Sequence, residues 1–416
     1  MTADHPVDPD VDLTSVEEIR RQFPALEREH AGHPVAYFDG PGGTQVPRQV
    51  AIAVTAYLIY NNANRRWSYP SSAETDAAVE GARDAMADLL GCGASDVSFG
   101  ANMTSLTFHL SRTLGRTLAP GDEIVVTRLD HLANVDPWQA LAVERGAVVR
   151  EVPFHTADGT LDMDRMLEAI GPRTRVVAVG WASNALGTVV DLDPILARAR
   201  EVGAFTFVDA VHAVPHLLPD VRAMGCDFMA CSPYKFYGPH AGVLYARAEL
   251  MDALDPPRLR CSPQVAPERF ELGTLPHESL EGTHAAVDFL TSLAGGADRR
   301  DRLARAYEGL HRRGEVLVAR LWEGLSSLDG VTCYGPRPGS GPRTPTVSFT
   351  VEGRAAADVA LHLSTQWGVF ASHGHFYAAN VAADLGVKGG MVRAGCACYT
   401  TAEEVDRLVE GVAAAR

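Results

Sequence analysis

The sequence predicts an α/β fold built on a mostly parallel β-sheet, with a smaller α+β domain at the C-terminal end of the chain. Between about residues 77 and 250, short apolar runs alternate with stretches of helical periodicity, which is the βαβ pattern of a parallel sheet. After about Gly295 the order changes, and long helical stretches precede short strands. At 416 residues, the chain is long enough for one large and one smaller domain.

The predicted strands of the sheet are near-continuous apolar runs, which is typical of strands buried on both faces. In chain order they are DEIVVTRLDH, AVVREVPF, TRVVAVGWAS, GAFTFVDAVH and CDFMACSPY. Helical stretches such as DLDPILARAREVG lie between several of them. The alternation therefore predicts helices that connect successive parallel strands.

The remaining elements lie at the two ends of the chain. TSVEEIRRQFPAL is predicted as a short helix, with Thr14 and Glu17 in the spacing of a capping box, and VAYFDG as a strand that leads into a loop. The C-terminal elements are the helix RLARAYEGLHRRGEVLVARLWEGL, the strand TPTVSFTV and the helix AEEVDRLVEGVAAA. We therefore predict an N-terminal arm and short helix that pack with the small domain (1–35), a large α/β domain (36–295) and a small α+β domain (296–416).

Composition excludes several classes of protein. Hydrophobic residues make up 46% and charged residues 21% of the chain, as in soluble globular proteins. The net charge of -15 argues against nucleic-acid binding, which needs basic patches. The acidic N-terminus MTADHPVDPDVDL is unlike a signal peptide, and no apolar run approaches the roughly 20 residues of a membrane span. The seven cysteines form no CxxC pair, so we expect a reducing cytoplasm and no structural zinc.

Polar residues recur where the predicted strands end. They are Asp130, His131, Asn184, Asp209, His212 and the run from Ser232 to Lys235. In open α/β sheets, ligands bind at the carboxyl ends of the strands. The sequence therefore predicts that these residues form one site.

Lys235 stands out because the chain has 37 basic residues of which only Lys235 and Lys388 are lysines. An arginine cannot act as a nucleophilic amine, whereas a lysine in a desolvated pocket can form a Schiff base. Asp209 ends an apolar strand, where a charge needs a partner such as a pyridinium nitrogen. The alternatives are a snorkelling or salt-bridged lysine and an aspartate that caps a helix.

A second group of residues suits the other parts of a cofactor that forms a Schiff base and has a pyridinium nitrogen. SFGANMTSLTF is predicted as a strand, a turn and the start of a helix, so Asn102, Met103 and Thr104 would offer amides or a hydroxyl to a phosphate. His131 could stack on a planar ring. His212 could reach the phenolic oxygen or the imine of the cofactor, or it could be a buried core histidine.

Taken together, these motifs resemble the class V aminotransferases that depend on pyridoxal 5'-phosphate (PLP), and within them the cysteine-desulfurase-like group. The matching segments are YFDGPGGTQVP, DHLANVDPW, SNALGT, VDAVHAVPH, CSPYKFYGP, RFELGT and VRAGCACYTTAEEVDRLVEGV. Their order and spacing cover most of the chain. The resemblance implies PLP fold type I with a seven-stranded, mostly parallel sheet flanked by helices, a small-molecule amino-acid substrate, and a homodimer whose subunits share active sites.

The resemblance also implies a role for each matching residue. Lys235 would form the Schiff base and move the substrate Cα proton, Asp209 would pair with the pyridine nitrogen, and His131 would stack on the ring. The other implied cofactor contacts are Asn102, Met103, Asn184, His212, Ser232, Tyr234 and Thr274. The resemblance implies that Thr274 contacts the cofactor in the other subunit's site. It also implies a histidine at the position of Tyr234 and a glutamine at the position of His212, so the chain departs from the family at both. The implied substrate contacts are Arg393, Gly43, Asn184 and His375, with Arg393 on the carboxylate.

The sequence departs from the desulfurase group at one loop. The family loop resembles Gly-His-His-Cys-Ala, and its cysteine accepts the sulfur, whereas this chain has GHFYA with Tyr377 at the cysteine position. A tyrosine cannot accept a sulfane sulfur. Cys396 and Cys398 follow Arg393 in a predicted strand, and alternation would turn both away from the side that carries Arg393. We therefore expect both to be buried core cysteines.

The leading hypothesis is a C–S lyase that removes the Cα proton of a cysteine-derived substrate and eliminates its Cβ substituent. His375, Tyr377 or Tyr234 would then protonate the departing atom. Alternatives are a desulfurase that hands sulfur directly to an acceptor, an aminotransferase, an epimerase, and a catalytically inactive protein of the same fold. We expect no metal, because the HxH pair His373 and His375 has no third ligand in view. Arg65 and Arg66 form either part of a shared pocket or a basic surface turn.

Overall fold

The structure is a computed structural model that describes residues 13–415. Most of the acidic N-terminal segment on which the signal-peptide prediction depended lies outside these residues. The strands of the largest sheet are β1 (Val97–Gly100), β2 (Glu123–Thr127), β3 (Val148–Val152), β4 (Thr174–Gly180), β5 (Phe205–Asp209), β6 (Phe228–Cys231) and β7 (Gly242–Ala246). Their order across the sheet is β1-β7-β6-β5-β4-β2-β3. Only β7 runs antiparallel to its neighbours, so the mostly parallel seven-stranded sheet is confirmed.

One strand differs from its prediction. AVVREVPF was predicted to be buried on both faces, but β3 lies at the edge of the sheet and pairs only with β2. Val148, Arg150 and Glu151 are exposed on it. An edge strand has one neighbour, so an apolar run does not by itself establish burial on both faces.

Helices cover both faces of this sheet. They are α1 (Val16–Arg20), α2 (Arg48–Ala56), α3 (Pro70–Leu90), α4 (Met103–Leu114), α5 (Asp136–Arg145), α6 (Met163–Ala169), α7 (Asp193–Val202), α8 (Val221–Met224), α9 (Ala248–Ala253) and α10 (His277–Ser292). Alternate strand residues enter two separate cores, so that Val125 packs in one and Val126 in the other. The first core includes residues of α3, α7 and α10, and the second includes residues of α4 and α5.

A second, antiparallel sheet follows in the C-terminal part of the chain. Its strands are β8 (Val331–Tyr334), β9 (Thr346–Val351), β10 (Ser372–Gly374) and β11 (Met391–Gly395), in the order β8-β9-β11-β10. The accompanying helices are α11 (Arg299–Ser326), α12 (Ala356–Trp367), α13 (Ala379–Asp384) and α14 (Ala402–Ala414). Leu303 and Tyr307 of α11 pack in the first core, whereas Leu317 and Leu321 pack in the core of the small sheet. The long helix therefore joins the two parts, and the domain boundary near residue 295 stays a prediction.

The segment before the large sheet contacts both parts of the molecule. Residues 36–37 form a short strand that pairs in parallel with Val369–Phe370 of the C-terminal part. Arg20 of α1 forms an ion pair of 2.9 Å with Glu404 of α14. Further two-residue strand pairs join Glu29–His30 to His33–Pro34 and Phe154–His155 to Thr160–Leu161.

The predicted capping box of Thr14 and Glu17 at the start of α1 is wrong, because Thr14 is not the N-cap. Ser15 is the N-cap, and its hydroxyl accepts a hydrogen bond of 3.3 Å from the amide of Glu18. Thr14 instead donates its hydroxyl to the carbonyl of Leu293 over 2.9 Å. Among the helices of the described residues, none is long and apolar enough to span a membrane.

Candidate active site

A cavity of about 1030 Å³ lies at the carboxyl ends of the parallel strands, where the sequence predicts the site. The large sheet contributes Asn102, Met103, His131, Asn184, Asp209, His212, Ser232, Tyr234 and Lys235 to its wall. The C-terminal part contributes Arg393 and the side chains of residues 373–377. The structure thus brings most of the predicted site residues together. Segments that are far apart in the chain meet there because the strand ends and the small sheet face the same space.

Lys235 follows β6 in a short 3₁₀ turn, and its Nζ donates hydrogen bonds to the carbonyls of Pro41 (2.5 Å) and Gly42 (3.0 Å). Burial, together with the positive charge of Arg393, lowers the pKa of Lys235 to about 7. Within the described residues Lys235 forms no ion pair, so the alternative of a salt-bridged lysine is wrong. A large fraction of the amine is therefore neutral near pH 7, which is the form that acts as a nucleophile or base.

Asp209 ends β5 and is 8% exposed. One carboxylate oxygen accepts a hydrogen bond of 3.0 Å from the amide of Val211, which closes a local turn and does not cap a helix. Burial raises the pKa of Asp209 to about 6, against the opposing influence of Lys235. A buried carboxylate without an ion pair in residues 13–415 is suited to a cationic ligand group, because pairing would offset its lost hydration.

Asp130, one of the polar residues predicted at the strand ends, is a second buried carboxylate at this edge. Its Oδ2 accepts hydrogen bonds from Asn134 (2.8 Å) and from the amide of Gly180 (2.9 Å). Burial and the nearby charge of Asp209 raise the pKa of Asp130 to about 7. Asp130 thereby ties the turn that carries His131 to the end of β4.

Both histidines on the floor of the cavity are held in the neutral form. Burial, together with Lys235 and Arg393, lowers the pKa of His131 to about 4, and its Nδ1 accepts a bond of 3.0 Å from the amide of Ala133. Burial lowers the pKa of His212 well below its usual range. Its Nε2 lies 3.0 and 3.2 Å from the hydroxyls of Thr344 and Thr346. His212 is therefore both buried and part of the cavity wall, so the two predictions for it are compatible.

The N-terminus of α4 lies on the cavity wall. Asn102 caps the helix, and its Oδ1 accepts hydrogen bonds from the amide (2.8 Å) and hydroxyl (3.0 Å) of Ser105. Met103 and Thr104 lie in the first turn, where amides have no partner within the helix. These amides and the helix dipole favour a phosphate group. Ser232 and Tyr234 also contribute to the wall.

Arg393 on β11 is 4% exposed and points into the same cavity. Its Nη1 donates to the carbonyl of Asn184 (2.9 Å) and its Nε to the hydroxyl of Ser372 (3.2 Å). Burial lowers the pKa of Arg393 to about 9, and Asp39 opposes that shift. No carboxylate forms an ion pair with Arg393 in the described part of the chain. A buried guanidinium that lacks a carboxylate partner is suited to binding the carboxylate of a ligand.

Residues 374–378, which we call the mouth loop, lie beside Arg393 and Asn184. Tyr377 is 68% exposed, and its ring stacks on that of His131 with centroids 5.5 Å apart. The amide of Tyr377 donates to Nδ1 of His375 over 3.1 Å, and its carbonyl accepts a bond of 2.7 Å from the amide of Leu132. Sequence reasoning missed Phe376, whose ring lies over the guanidinium of Arg393.

Two predicted site residues do not line the cavity. Thr274 is exposed in the loop before α10, so its predicted phosphate contact requires a second copy of the chain. Gly43 lies next to the wall, and a Cβ on it would approach the ring of Tyr234 to 3.4 Å. Both assignments stay predictions.

The remaining candidates lie elsewhere. Cys396 and Cys398 are buried outside the cavity, and burial raises the pKa of each thiol to about 12. Arg65 forms ion pairs with Asp76, Glu80 and Glu268, which satisfy its charge within the chain. In residues 13–415, no three His, Cys, Asp or Glu side chains come together as a metal site.

The residues of the cavity fit PLP. Asp209 offers a buried, unpaired carboxylate to a protonated pyridine nitrogen, and the amides at the start of α4 offer donors to a phosphate. Within residues 13–415, the Oδ1 of Asn184 is buried without a hydrogen-bond partner, which leaves it available to a cofactor or substrate donor. A lysine with a depressed pKa completes a site of the kind that defines the PLP-dependent enzymes of fold type I.

The chain belongs to the class V aminotransferase family. The family described as aminotransferase class-V matches residues 36–408. A cysteine desulfurase from Pectobacterium carotovorum subsp. carotovorum is 32% identical over 413 residues, which cover 95% of this chain and 97% of that protein. The protein named "Probable cysteine desulfurase 2" from Mycobacterium leprae is 36% identical over 415 residues, covering 95% of each chain.

Solved structures agree with this assignment. The cysteine desulfurase CsdA from Escherichia coli superposes with a TM-score of 0.84 at 27% identity, covering 97% of this chain and 98% of that one. The apo cysteine desulfurase from Thermococcus onnurineus NA1 superposes with a TM-score of 0.85 at 28% identity, covering 96% and 97%. The chain is thus a PLP-dependent enzyme of fold type I.

Proposed function

We propose that this enzyme cleaves the carbon–sulfur bond of a cysteine-type amino acid and passes the sulfur to an acceptor outside the chain. The observation that carries the proposal is a cavity that combines Lys235 and Arg393 but, among the residues described, has no cysteine in its wall. The relatives named cysteine desulfurase support the choice of substrate. The absent loop cysteine favours an external acceptor over a persulfide on the chain itself.

Substrate recognition depends on two basic groups with different tasks. Arg393 would bind the α-carboxylate, because its planar fork matches two carboxylate oxygens. Lys235 lies in the same cavity and would meet the α-amino end of the substrate. This arrangement selects an α-amino acid and directs its side chain toward the remaining space in the cavity.

PLP, when bound, withdraws electrons from Cα of the bound amino acid. Asp209 would hold the proton and positive charge at the pyridine nitrogen, and neutral His131 would cover the ring face. Lys235 would take the Cα proton and return it, which its pKa near neutrality permits. The neutral state of His131 avoids a second positive charge beside Lys235.

The sulfur would leave through direct attack by an external thiolate. The acceptor sulfur bonds to the substrate sulfur, the carbon–sulfur electrons stay on the carbon side, and Cβ takes a proton. One cysteine and one thiol therefore give one alanine and one persulfide. No other oxidant or reductant is needed for this balance.

A second candidate is β-elimination, which is favoured by Tyr377, a residue that carries a hydroxyl and is exposed at the mouth of the cavity. In this reaction the carbon–sulfur electrons leave with the sulfur, which takes a proton from Tyr377 or His375. Cysteine would then give pyruvate, ammonia and sulfide after addition of water. The two candidates differ only after the Cα proton has been removed.

The experiment is a product assay on the PLP-loaded enzyme, with cysteine as substrate and with or without added 2-mercaptoethanol. Alanine that forms in proportion to the added thiol supports direct transfer. Pyruvate and ammonia, formed whether or not thiol is present, would overturn it in favour of elimination. Sulfur found on a cysteine of the enzyme would contradict the external acceptor. Lys235→Ala serves as the control for reaction by free cofactor.

We also propose that the active form is a homodimer. Thr274 is exposed, and so are the large apolar side chains of Tyr60, Trp67 and Leu272, which a second copy would cover. Light scattering of the purified chain tests this proposal, and a monomer that is fully active would contradict it.

A further inference from the structure

The guanidinium of Arg393 is covered on one face by an aromatic ring. Its Cζ lies 4.3 Å from the centre of the Phe376 ring. At this distance the ring attracts the cation and also excludes water from that face. The ring covers a face of the guanidinium and not its edge, so a carboxylate can still approach in the plane of the group.

Two of the three guanidinium nitrogens already have partners in the protein. Nη1 and Nε donate to Asn184 and Ser372. Nη2 faces Gly42, where a Cβ would come within 3.5 Å of it. Because glycine has no side chain there, Nη2 keeps room for a ligand oxygen next to Gly42 on the cavity wall.

Phe376 is fixed in this position through its backbone. Its carbonyl accepts a hydrogen bond of 2.8 Å from Nδ2 of Asn184, the residue whose own carbonyl accepts from Arg393. Phe376 and Tyr377 have φ angles of 55° and 57°, a backbone conformation that residues other than glycine rarely adopt. Contacts on both sides of the loop therefore hold a conformation that is unfavourable by itself.

We propose that Phe376 is a positioning residue that holds the plane of Arg393 for the α-carboxylate of the substrate. The inference rests on the proposed function in so far as that function requires an amino-acid carboxylate at Arg393. An aromatic ring fixes the guanidinium against rotation and lowers the local dielectric constant, so the carboxylate is bound more tightly.

The test measures equilibrium binding to the PLP-loaded enzyme by calorimetry, without turnover. The first probe is 3-mercaptopropionate, which has a carboxylate and no amine, and the second is cysteamine, which has an amine and no carboxylate. Phe376→Ala and Phe376→Leu should reduce the affinity for 3-mercaptopropionate about three- to tenfold, which is the range expected for a partly desolvated cation–π contact. Phe376→Tyr should stay close to wild type, and cysteamine binding should not change.

Several results would overturn the proposal. They are an equal loss of affinity for both probes, a leucine variant that binds as tightly as the tyrosine variant, and unchanged 3-mercaptopropionate binding in all three. Circular dichroism and thermal melting of each variant separate loss of folding from loss of binding. Because the assay contains no carbon–sulfur cleavage, it gives its answer even if the proposed reaction is wrong. Arg393→Gln tests the shared premise, since it should weaken 3-mercaptopropionate at least as much as Phe376→Ala.

Discussion

The floor of the cavity is carried by the ends of buried strands, whereas its mouth is formed by a short loop in which His375 and Tyr377 are exposed and Phe376 is partly buried. Asp209, His212 and Ser232 are each less than one-tenth exposed, and they lie at or within three residues of the ends of β5 and β6. In the mouth loop, by contrast, Tyr377 is 68% exposed and two successive residues have positive φ. The sheet thus fixes the positions of the floor residues, whereas a few local contacts fix the conformation of the loop.

The departures from the pattern that the family resemblance implies lie in both regions: His212 and Tyr234 line the cavity from the large sheet, and Tyr377 lies in the loop. Replacing a floor residue disturbs the packing of the sheet and the charges around PLP together. We expect that replacing a loop residue changes mainly the contacts at the mouth of the cavity, including those of Arg393. The departure at Tyr377 therefore fits a change in the fate of the sulfur with the chemistry at Cα retained.

The largest expected effect is on the floor. Lys235→Ala removes the amine that links to PLP and moves the Cα proton, so turnover of cysteine should fall by more than about 10³-fold. The absorption band of the covalently linked cofactor should disappear as well. Lys235→Arg is the matched control, because it keeps a positive charge but no nucleophilic amine and should fail equally. Retained turnover in either variant would contradict the role of Lys235.

Much of the floor could be predicted from the sequence because its residues stand directly after apolar strands. Asp130, Asp209 and Lys235 all occur at such positions, and strand ends converge at one edge of a parallel sheet. The strand β7 was missed because a short buried run such as GVLYA has no periodicity that marks it as a strand.

Other features depend on contacts that sequence order does not contain. The bond between Asn184 and the carbonyl of Phe376 joins positions 192 residues apart. The stacking of Tyr377 on His131 likewise depends on how the loop folds back. At α1, Thr14 and Ser15 are adjacent hydroxyl residues, and only the backbone geometry decides which one caps the helix.

The second expected effect is a pH dependence of cofactor attachment. Burial and the charge of Arg393 lower the pKa of Lys235 to about 7, and only the neutral amine attacks the cofactor. Mixing the cofactor-free enzyme with PLP should therefore give a rate that is flat above pH 7. Below that value the rate should fall about tenfold per pH unit, as expected for one proton.

The matched variant for this measurement is Arg393→Gln. It removes a positive charge that lowers the pKa of Lys235, so the midpoint of the rate profile should move to higher pH. A wild-type rate that still rises steeply between pH 8 and about 10, as for an ordinary lysine, would show that the amine is not desolvated.

The third expected effect is confined to the loop and concerns the products rather than the overall rate. Tyr377→Cys places a thiol at the position where the family resemblance implies a cysteine, so a persulfide should form on residue 377 after incubation with cysteine. Mass spectrometry of the loop peptide detects the added sulfur atom, and the ratio of alanine to pyruvate should rise without added thiol. Tyr377→Phe is the control, because it removes the hydroxyl but adds no sulfur acceptor. If the cysteine variant gains no sulfur, the loop does not approach the substrate sulfur.

The smallest expected effect belongs to the cysteines outside the cavity. Cys396 and Cys398 are buried, and burial raises the pKa of each thiol to about 12, so neither supplies a thiolate near neutral pH. Cys396→Ala and Cys398→Ala should each leave turnover within about twofold of wild type while reducing the free energy of unfolding by about 1 kcal/mol. Steady-state kinetics and chemical denaturation measure the two quantities. A variant with normal stability but no sulfur release would identify that cysteine as a carrier, and the acceptor would then be part of the chain.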